Sequence, residues 1–206
     1  MLTFLWKEQP LWPLRLLWLF AREPQHRVPS ARKLRLFLCA CVQKDWDLVD
    51  DDSIKRAISI AEQFADGLVS RERFDSGVSE SILTVYASTS GLLRASTLLF
   101  VMNAIARHSV NDSLRQLCIV NALAYPQHAP LLRHIVGNPF RQYPVPSTWP
   151  AAVVELAVSV YGGNDCAHIL ADSLEETGHA VLSEHMRAEP WHPKGCWVLD
   201  LLLGKS

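Results

Sequence analysis

Apolar residues recur along this chain at intervals of three and four, the spacing of amphipathic α-helices, without a convincing alternating strand. The clearest segments predict helices over 31–48 and 53–68, each with one continuous apolar stripe. The stripes consist of Leu34, Phe37, Leu38, Cys41 and Val42 in the first, and of Ile54, Ala57, Ile58, Ala61, Phe64 and Ala65 in the second. Ser30 is the predicted N-cap of the first helix, and Gly67 the predicted C-cap of the second.

Proline and glycine punctuate the rest of the chain into short helical segments. These are 10–21, 70–75, 79–107 (two helices, or one broken near 88–91), 111–124, 129–136, 150–161 with Thr148 as its cap, 165–177, 180–187 and 194–203. The pattern predicts an all-α protein, an irregular multi-helix bundle of about ten helices. We expect residues 1–206 to form a single helical domain, in which the Trp- and Leu-rich residues 1–30 form a possible interaction element.

Composition supports a globular chain, with 49% apolar and 20% charged residues. The charge is uneven, since residues 1–44 carry a net +6 and the remainder a net −7. The basic segment 22–35 could bind an anion or nucleic acid, but no nucleic-acid-binding motif accompanies it. Alternatively, Arg32 and Arg35 lie on the solvated face of their helix, or pair with acidic residues of the same chain. Nucleic acid is therefore the less favoured partner.

Location is suggested by the cysteines and by the lengths of the apolar runs. Residues 11–20 are apolar but too few to span a bilayer, and Arg15 interrupts them. The five cysteines are odd in number and scattered, which favours reduced thiols. We therefore expect no transmembrane segment and a cytoplasmic location.

Tryptophans at intervals of six mark the N-terminal segment. Tryptophan is enriched at the energetic centres of protein interfaces, although packing in the core or against a membrane surface remains an alternative. The predicted partner-binding residues are Trp6, Trp12, Arg15 and Trp18, with Arg32 and Arg35 at the edge. The favoured function is a protein–protein interaction or adaptor module that binds another protein or itself.

A second candidate site lies near the C-terminus, where His185, His192, Cys196 and Asp200 fall within sixteen residues. These are metal-ligand residue types, and zinc is the first ion to expect for mixed nitrogen and sulfur ligands. Cys196 and Asp200 are four residues apart, on one predicted helix face. A small hydrolytic site with Cys196 as nucleophile is another alternative, and helix capping with core packing is the third. No motif assigns a catalytic residue, so an enzyme is less favoured.

Five sequence blocks, which follow one another along this chain, carry a resemblance to known proteins. They read RKLRLFLCACVQKDW, AISIAEQFADGLVS, LLRHIVGNPFR, ILADSLEETG and GCWVLDLLLGK. They resemble a family of uncharacterised small bacterial helical proteins that often occur as many paralogues. The ILADSLEETG block also resembles the LADWLEE-x-G phrase of a short repeat-companion domain. The resemblance implies a single helical unit and carries no activity.

Overall fold

The computed structural model describes residues 29–44, 52–88, 128–138 and 143–205. Within these ranges it contains eight α-helices and no strand, which confirms the predicted all-α class. The helices are α1 (Ala31–Lys44), α2 (Asp52–Ala65), α3 (Arg71–Ser88), α4 (Ala129–Val136), α5 (Ala151–Tyr161), α6 (Ala167–Glu176), α7 (Ala180–Ala188) and α8 (Trp197–Leu202). The predicted helices over 10–21 and 111–124 lie outside the described residues.

The first two helices follow their predicted stripes. The Oγ of Ser30 accepts a hydrogen bond from the backbone N–H of Lys33 at 3.3 Å, as expected of an N-cap. The apolar stripe of α1 is buried along its whole length. Helix α2 ends before Gly67, whose φ of +72° is the left-handed conformation that a C-cap glycine provides.

Helix α3 is longer than the pattern predicted. The expected short helix over 70–75 continues without a break to Ser88, so the predicted boundary near residue 76 is wrong. Gly77 lies inside the helix because α3 packs closely on α2 there. A Cβ atom added at Gly77 would lie 2.5 Å from Cδ1 of Ile60. The glycine therefore marks a close helix–helix contact and not a helix end.

The four C-terminal helices enclose an apolar core, to which α5, α6, α7 and α8 all contribute buried residues. Helix α5 packs on α6 and α8, and α6 packs on α7. Pro150 occupies the N-cap of α5, where Thr148 was predicted. Helix α8 begins three residues later than predicted, because Gly195 adopts a φ of +87° and holds the preceding chain outside the helix.

Contacts among α1, α4 and α8 connect the N-terminal helices α1–α3 with the core of the C-terminal helices α5–α8. Helix α1 packs against both α2 and α4, and α8 contacts α4, α5 and α7. The eight-residue helix α4 therefore lies between the first and the last of the described helices. Among the described helices, none has both the length and the apolar character needed to cross a membrane.

Candidate metal centre

Four metal-ligand side chains meet where α4, α7 and the start of α8 come together. They are His134, His185, His192 and Cys196, and one ligand atom from each lies within 4.8 Å of every other. His185 is partly exposed, and the other three residues are buried. The structure therefore brings together three of the four residues expected from the sequence and adds His134.

Each ligand reaches the cluster from a different local structure. His134 lies in the last turn of α4 and His185 in the last turn of α7. His192 lies in the loop that follows α7, between two prolines. Cys196 is the N-cap residue of α8, and its backbone N–H donates to the carbonyl of Pro193 at 3.0 Å. Three segments of the chain thus converge on one point.

The spacing of the donor atoms matches a tetrahedron along three of its six edges. The Nε2 of His134 lies 3.2 Å from Nδ1 of His192. The Sγ of Cys196 lies 3.3 Å from Nε2 of His185 and 3.8 Å from Nδ1 of His192. Zinc bonds of usual length place tetrahedral nitrogens about 3.3 Å apart, and nitrogen and sulfur about 3.6 Å apart. For the group as a whole, one ligand atom from each residue lies within 4.8 Å of the others, so the remaining pairs are also close.

Outer hydrogen bonds orient two of the imidazoles. The Nε2 of His192 donates to the backbone carbonyl of Met186 at 3.1 Å, which leaves the Nδ1 lone pair facing the cluster. The indole Nε1 of Trp197 donates to Nδ1 of His185 at 3.2 Å, so the proton of that neutral ring lies on Nε2. His192 is thus already in a ligating tautomer. Ligation by His185 through Nε2 requires its proton to move to Nδ1 and the Trp197 bond to be lost.

His134 completes this network by donating from Nε2 to Nδ1 of His192, because the latter is an acceptor. Ligation through Nε2 of His134 likewise needs its proton on Nδ1. The metal-free cluster is therefore a self-consistent set of hydrogen bonds, and a metal ion would replace that set with coordination bonds.

Burial holds all three imidazoles neutral. It lowers the pKa of His134 to about 2 and that of His185 to about 3, and neighbouring imidazoles add to both shifts. Burial also lowers the pKa of His192. Neutral imidazole is the form that binds a metal. The three rings therefore do not need to lose a proton to solvent before ligation at neutral pH.

Cys196 differs because a ligating thiol must ionise. Burial raises the pKa of this thiol to about 12, and the backbone N–H groups of Leu199 and Val198 and the charge of Lys33 oppose that shift. A divalent cation bound to the sulfur would displace the proton directly. The groups that oppose the shift are those that would stabilise the resulting thiolate.

The same geometry disfavours the predicted hydrolytic alternative. Cys196 is 0% exposed, so its sulfur does not reach solvent. In a nucleophile–base pair, the base accepts the nucleophile's proton and its other nitrogen donates to an orienting group. Here Nδ1 of His185 accepts from Trp197, which leaves a proton on Nε2, the atom that faces the sulfur. His185 in this tautomer cannot act as the base for Cys196. His192 remains a candidate base, since its Nδ1 acceptor lies 3.8 Å from the sulfur, so the burial of Cys196 is the observation that disfavours a hydrolytic site.

Asp200, the fourth residue expected from the sequence, lies elsewhere. Its carboxylate accepts two hydrogen bonds from the guanidinium of Arg32, at 2.7 and 2.9 Å, and pairs with Lys33. Arg32 also donates to Asp66, which further accepts from the hydroxyl of Tyr161. Because Cys196 precedes the first turn of α8 in a non-helical conformation, the predicted shared face with Asp200 does not form.

The two described arginines of the predicted partner surface point inward. Arg32 belongs to the buried ion-pair network, and Arg35 is only 6% exposed. The guanidinium of Arg35 lies 5.0 Å from the ring centroid of Phe64 and 5.4 Å from that of Phe74, within the range of cation–π attraction. The expectation that both side chains lie on a solvated helix face is wrong, whereas the alternative of pairing with acidic residues of the same chain is confirmed for Arg32. Trp6, Trp12, Arg15 and Trp18 lie outside the described residues.

Sequence reasoning missed His134 and the role of its helix. His134 is 51 positions before His185, and in sequence it is a single histidine that follows Arg133 in a largely apolar segment. Such a residue is usually a packed core histidine, so its type alone gave little signal. Only the structure shows that α4 ends at Gly137 close to Trp197, where an added Cβ atom would lie 2.9 Å from Cγ of Trp197. The glycine allows α4 to approach the cluster.

Comparison of the chain with protein-family models, with curated proteins and with solved structures gives no match. The function must therefore be argued from the geometry of the site itself.

Proposed function

We propose that this protein binds one zinc ion through His134, His185, His192 and Cys196, and that the ion has a structural role. The observation that carries the proposal is the convergence of four ligand atoms, all within 4.8 Å of one another, from three segments of the chain. Zinc would fasten α4 to the end of α7, the following loop and the start of α8.

Zinc fits this donor set better than other common ions. Three imidazoles and one thiolate suit an ion of intermediate softness with tetrahedral geometry, whereas magnesium and calcium prefer oxygen ligands. The carboxylate nearest in sequence, Asp200, is already engaged by Arg32 and Lys33. Among the described residues, the cluster therefore contains no oxygen ligand. It does contain a sulfur, which zinc binds well.

A structural role is favoured over a catalytic one by the number and burial of the ligands. Catalytic zinc sites usually have three protein ligands and an open position, whereas structural sites have four. Here four protein ligands are available, three of them buried. The cluster also borders the C-terminal core, to which Met186 and Cys196 belong. An ion at this point would stabilise packing between elements.

Elemental analysis of the purified protein tests the proposal. We expect one zinc per chain in the wild type and a clear loss of zinc in Cys196→Ser and His134→Gln, since each removes one ligand. His168→Gln is the matched control, because His168 is an exposed histidine of α6. The control should retain a full complement of zinc.

Two results would overturn the proposal. The first is a wild-type protein that, after saturation with zinc and removal of excess, retains no stoichiometric metal. The second is zinc that stays bound in both ligand variants, because the ion would then be held elsewhere. Circular dichroism of each variant shows whether a loss of zinc reflects a missing ligand or a general loss of helix.

Protein–protein binding through Trp6, Trp12, Arg15 and Trp18 is a separate proposal, which a structural zinc site neither requires nor opposes. It is supported by the enrichment of tryptophan at interface centres. A native mass above 23.2 kDa that falls to the monomer mass in Trp12→Ala would support self-association. A monomeric wild type would exclude self-association, and the proposal would then concern only binding to a different protein.

A further inference from the structure

Lys33 of α1 lies between two of the segments that supply ligands. Its ammonium group donates to the carbonyl of Ile135 at 2.9 Å and to the carbonyl of Gly195 at 2.8 Å. A third contact joins it to the carboxylate of Asp200. One side chain near the N-terminus thus bonds two backbone segments that are 60 residues apart in sequence.

The two carbonyls belong to the residues next to ligands. Ile135 directly follows His134, and Gly195 directly precedes Cys196. The carbonyl of Ile135 is among the last four of α4, which have no partner within their own helix. An outside donor is therefore needed there, and Lys33 supplies it. The same donor fixes the distance between the end of α4 and the start of α8.

This ammonium group is largely removed from water. The Lys33 side chain is 13% exposed, and burial lowers its pKa, an effect that Asp200 and Cys196 oppose. A buried cation must be well paired to be tolerated. The contacts with one carboxylate and two carbonyls meet that need. They also keep a positive charge close to the sulfur of Cys196.

We propose that Lys33 is a positioning residue of the metal centre, which holds the backbone segments of His134 and Cys196 next to each other through the carbonyls of Ile135 and Gly195. The inference rests on the proposed zinc site and adds a residue that is not itself a ligand. Lys33 binds no metal, and acts through the two backbone segments and through the charge that it places near the thiolate. Outer residues of this kind typically contribute a factor of about 10 to 100 in metal affinity.

Cobalt titration of the metal-free protein tests the inference, because cobalt bound to a thiolate has a charge-transfer absorption band. We compare wild type with Lys33→Met, which keeps the aliphatic stem and removes the three contacts. Lys205→Met is the control, since Lys205 pairs with Asp66 in the same charged network and lies over the ring of Tyr161. We expect cobalt binding about 10 to 100 times weaker in Lys33→Met and unchanged in the control.

The thiolate band per bound cobalt separates positioning from general stability. A misplaced sulfur should weaken or shift this band in Lys33→Met at saturating cobalt, whereas lower stability alone would leave the saturated spectrum unchanged. An affinity within twofold of wild type, together with an identical spectrum, would overturn the role of Lys33 and leave the zinc proposal intact. A wild type that binds no cobalt and no zinc would overturn both.

If Lys33→Met does not fold, Lys33→Arg provides the test. Its planar guanidinium keeps the charge but cannot reproduce the arrangement of an ammonium toward three acceptors. We expect its cobalt affinity to fall by at least about threefold. An unchanged affinity in this folded variant would overturn the proposed role.

Discussion

The Nε2 atom of His134 and the Nδ1 atom of His192 lie 3.2 Å apart, although 58 positions separate the two residues in the chain. Two neutral imidazole nitrogens can share this distance in two ways: one donates a proton to the other, or both bind one cation. The nearby nitrogen of His185 and sulfur of Cys196 extend the second option to four ligands. The cluster therefore offers a hydrogen-bonded state and a metal-bound state.

Metal binding should raise the thermal stability of the protein. A ligand present at 1,000 times its dissociation constant stabilises the folded state by about 4 kcal/mol, which corresponds to a rise of about 8–16 °C in a chain of this size. We therefore expect a strong chelator to lower the melting temperature, and added zinc to restore it. Cys196→Ser should show no such response to either treatment, whereas a wild type that melts identically with and without the chelator would contradict this expectation.

Acid should destabilise the metal-free protein between about pH 6.5 and 5.5. The folded-state pKa values of His134 and His185 are lowered to about 2 and about 3, and that of His192 is also lowered. In the unfolded chain each histidine titrates near 6.5, so below this pH the unfolded state binds more protons. The stability contributed by burying the neutral rings is fully present above about pH 6.5, and it falls as the pH decreases below that value.

Each histidine can contribute up to about 1.4 kcal/mol per pH unit, so His134 and His185 together should cost about 2 kcal/mol over this interval, and His192 adds to the same effect. Urea unfolding at the two pH values, with chelator present, measures the change. His134→Gln should remove about 1 kcal/mol of this change, because one group with a strongly lowered pKa is absent. A free energy of unfolding that does not change over this interval would show that the histidines are not buried as neutral rings.

Gly195→Ala should weaken both the fold and metal binding. Gly195 has a φ of +87°, and an added Cβ atom would lie 3.0 Å from Cβ and Cδ1 of Leu36. The backbone would have to move away from α1 and carry Cys196 with it. We expect a loss of about 1–3 kcal/mol in the free energy of unfolding, together with weaker zinc binding.

Gly163→Ala is the control for this substitution. Gly163 also has a positive φ, of +95°, but an added Cβ atom would have no neighbour within 4 Å. The control therefore carries the conformational cost without the steric one and should leave zinc affinity unchanged. Equal losses of zinc affinity in the two variants would contradict the link between the Gly195–Leu36 contact and the cluster.

Arg32→Met should destabilise the fold by about 3 kcal/mol, because it leaves the buried carboxylates of Asp66 and Asp200 with fewer partners. Arg71→Met is the comparison, since Arg71 forms an exposed pair with Asp75 and should cost less than about 1 kcal/mol. Urea unfolding measures both. A fully stable Arg32→Met that loses affinity for phosphate or nucleic acid would instead favour the anion-binding alternative.

Local features of the fold were predictable because the signals are local. The apolar stripe of α1, the glycine after α2 and the limits of α4 follow from spacing, capping and the Gly-Asn-Pro stop signal. The length of α3 was not predictable from the pattern. Gly77 resembles a helix breaker in sequence, and only its contact with Ile60 shows why it lies within the helix.

The site was only partly predictable because it depends on contacts distant in sequence. His185, His192 and Cys196 are close together in the chain, so their residue types were visible as a group. His134 joins them only through the packing of α4 against α1 and α8. Asp200 matched the expected spacing from Cys196, but its carboxylate faces Arg32 and Lys33. The charge distribution indicated that basic residues could pair within the chain, but it did not identify Asp200 as the partner.

X-ray absorption at the zinc edge of the zinc-loaded protein tests the central claim most directly, because it reports the type and number of atoms bound to the ion. The proposed site predicts one sulfur and three nitrogen ligands, with the sulfur lost in Cys196→Ser. A zinc ion surrounded only by nitrogen and oxygen in the wild type, or a wild type that takes up no zinc, would contradict the proposed metal centre.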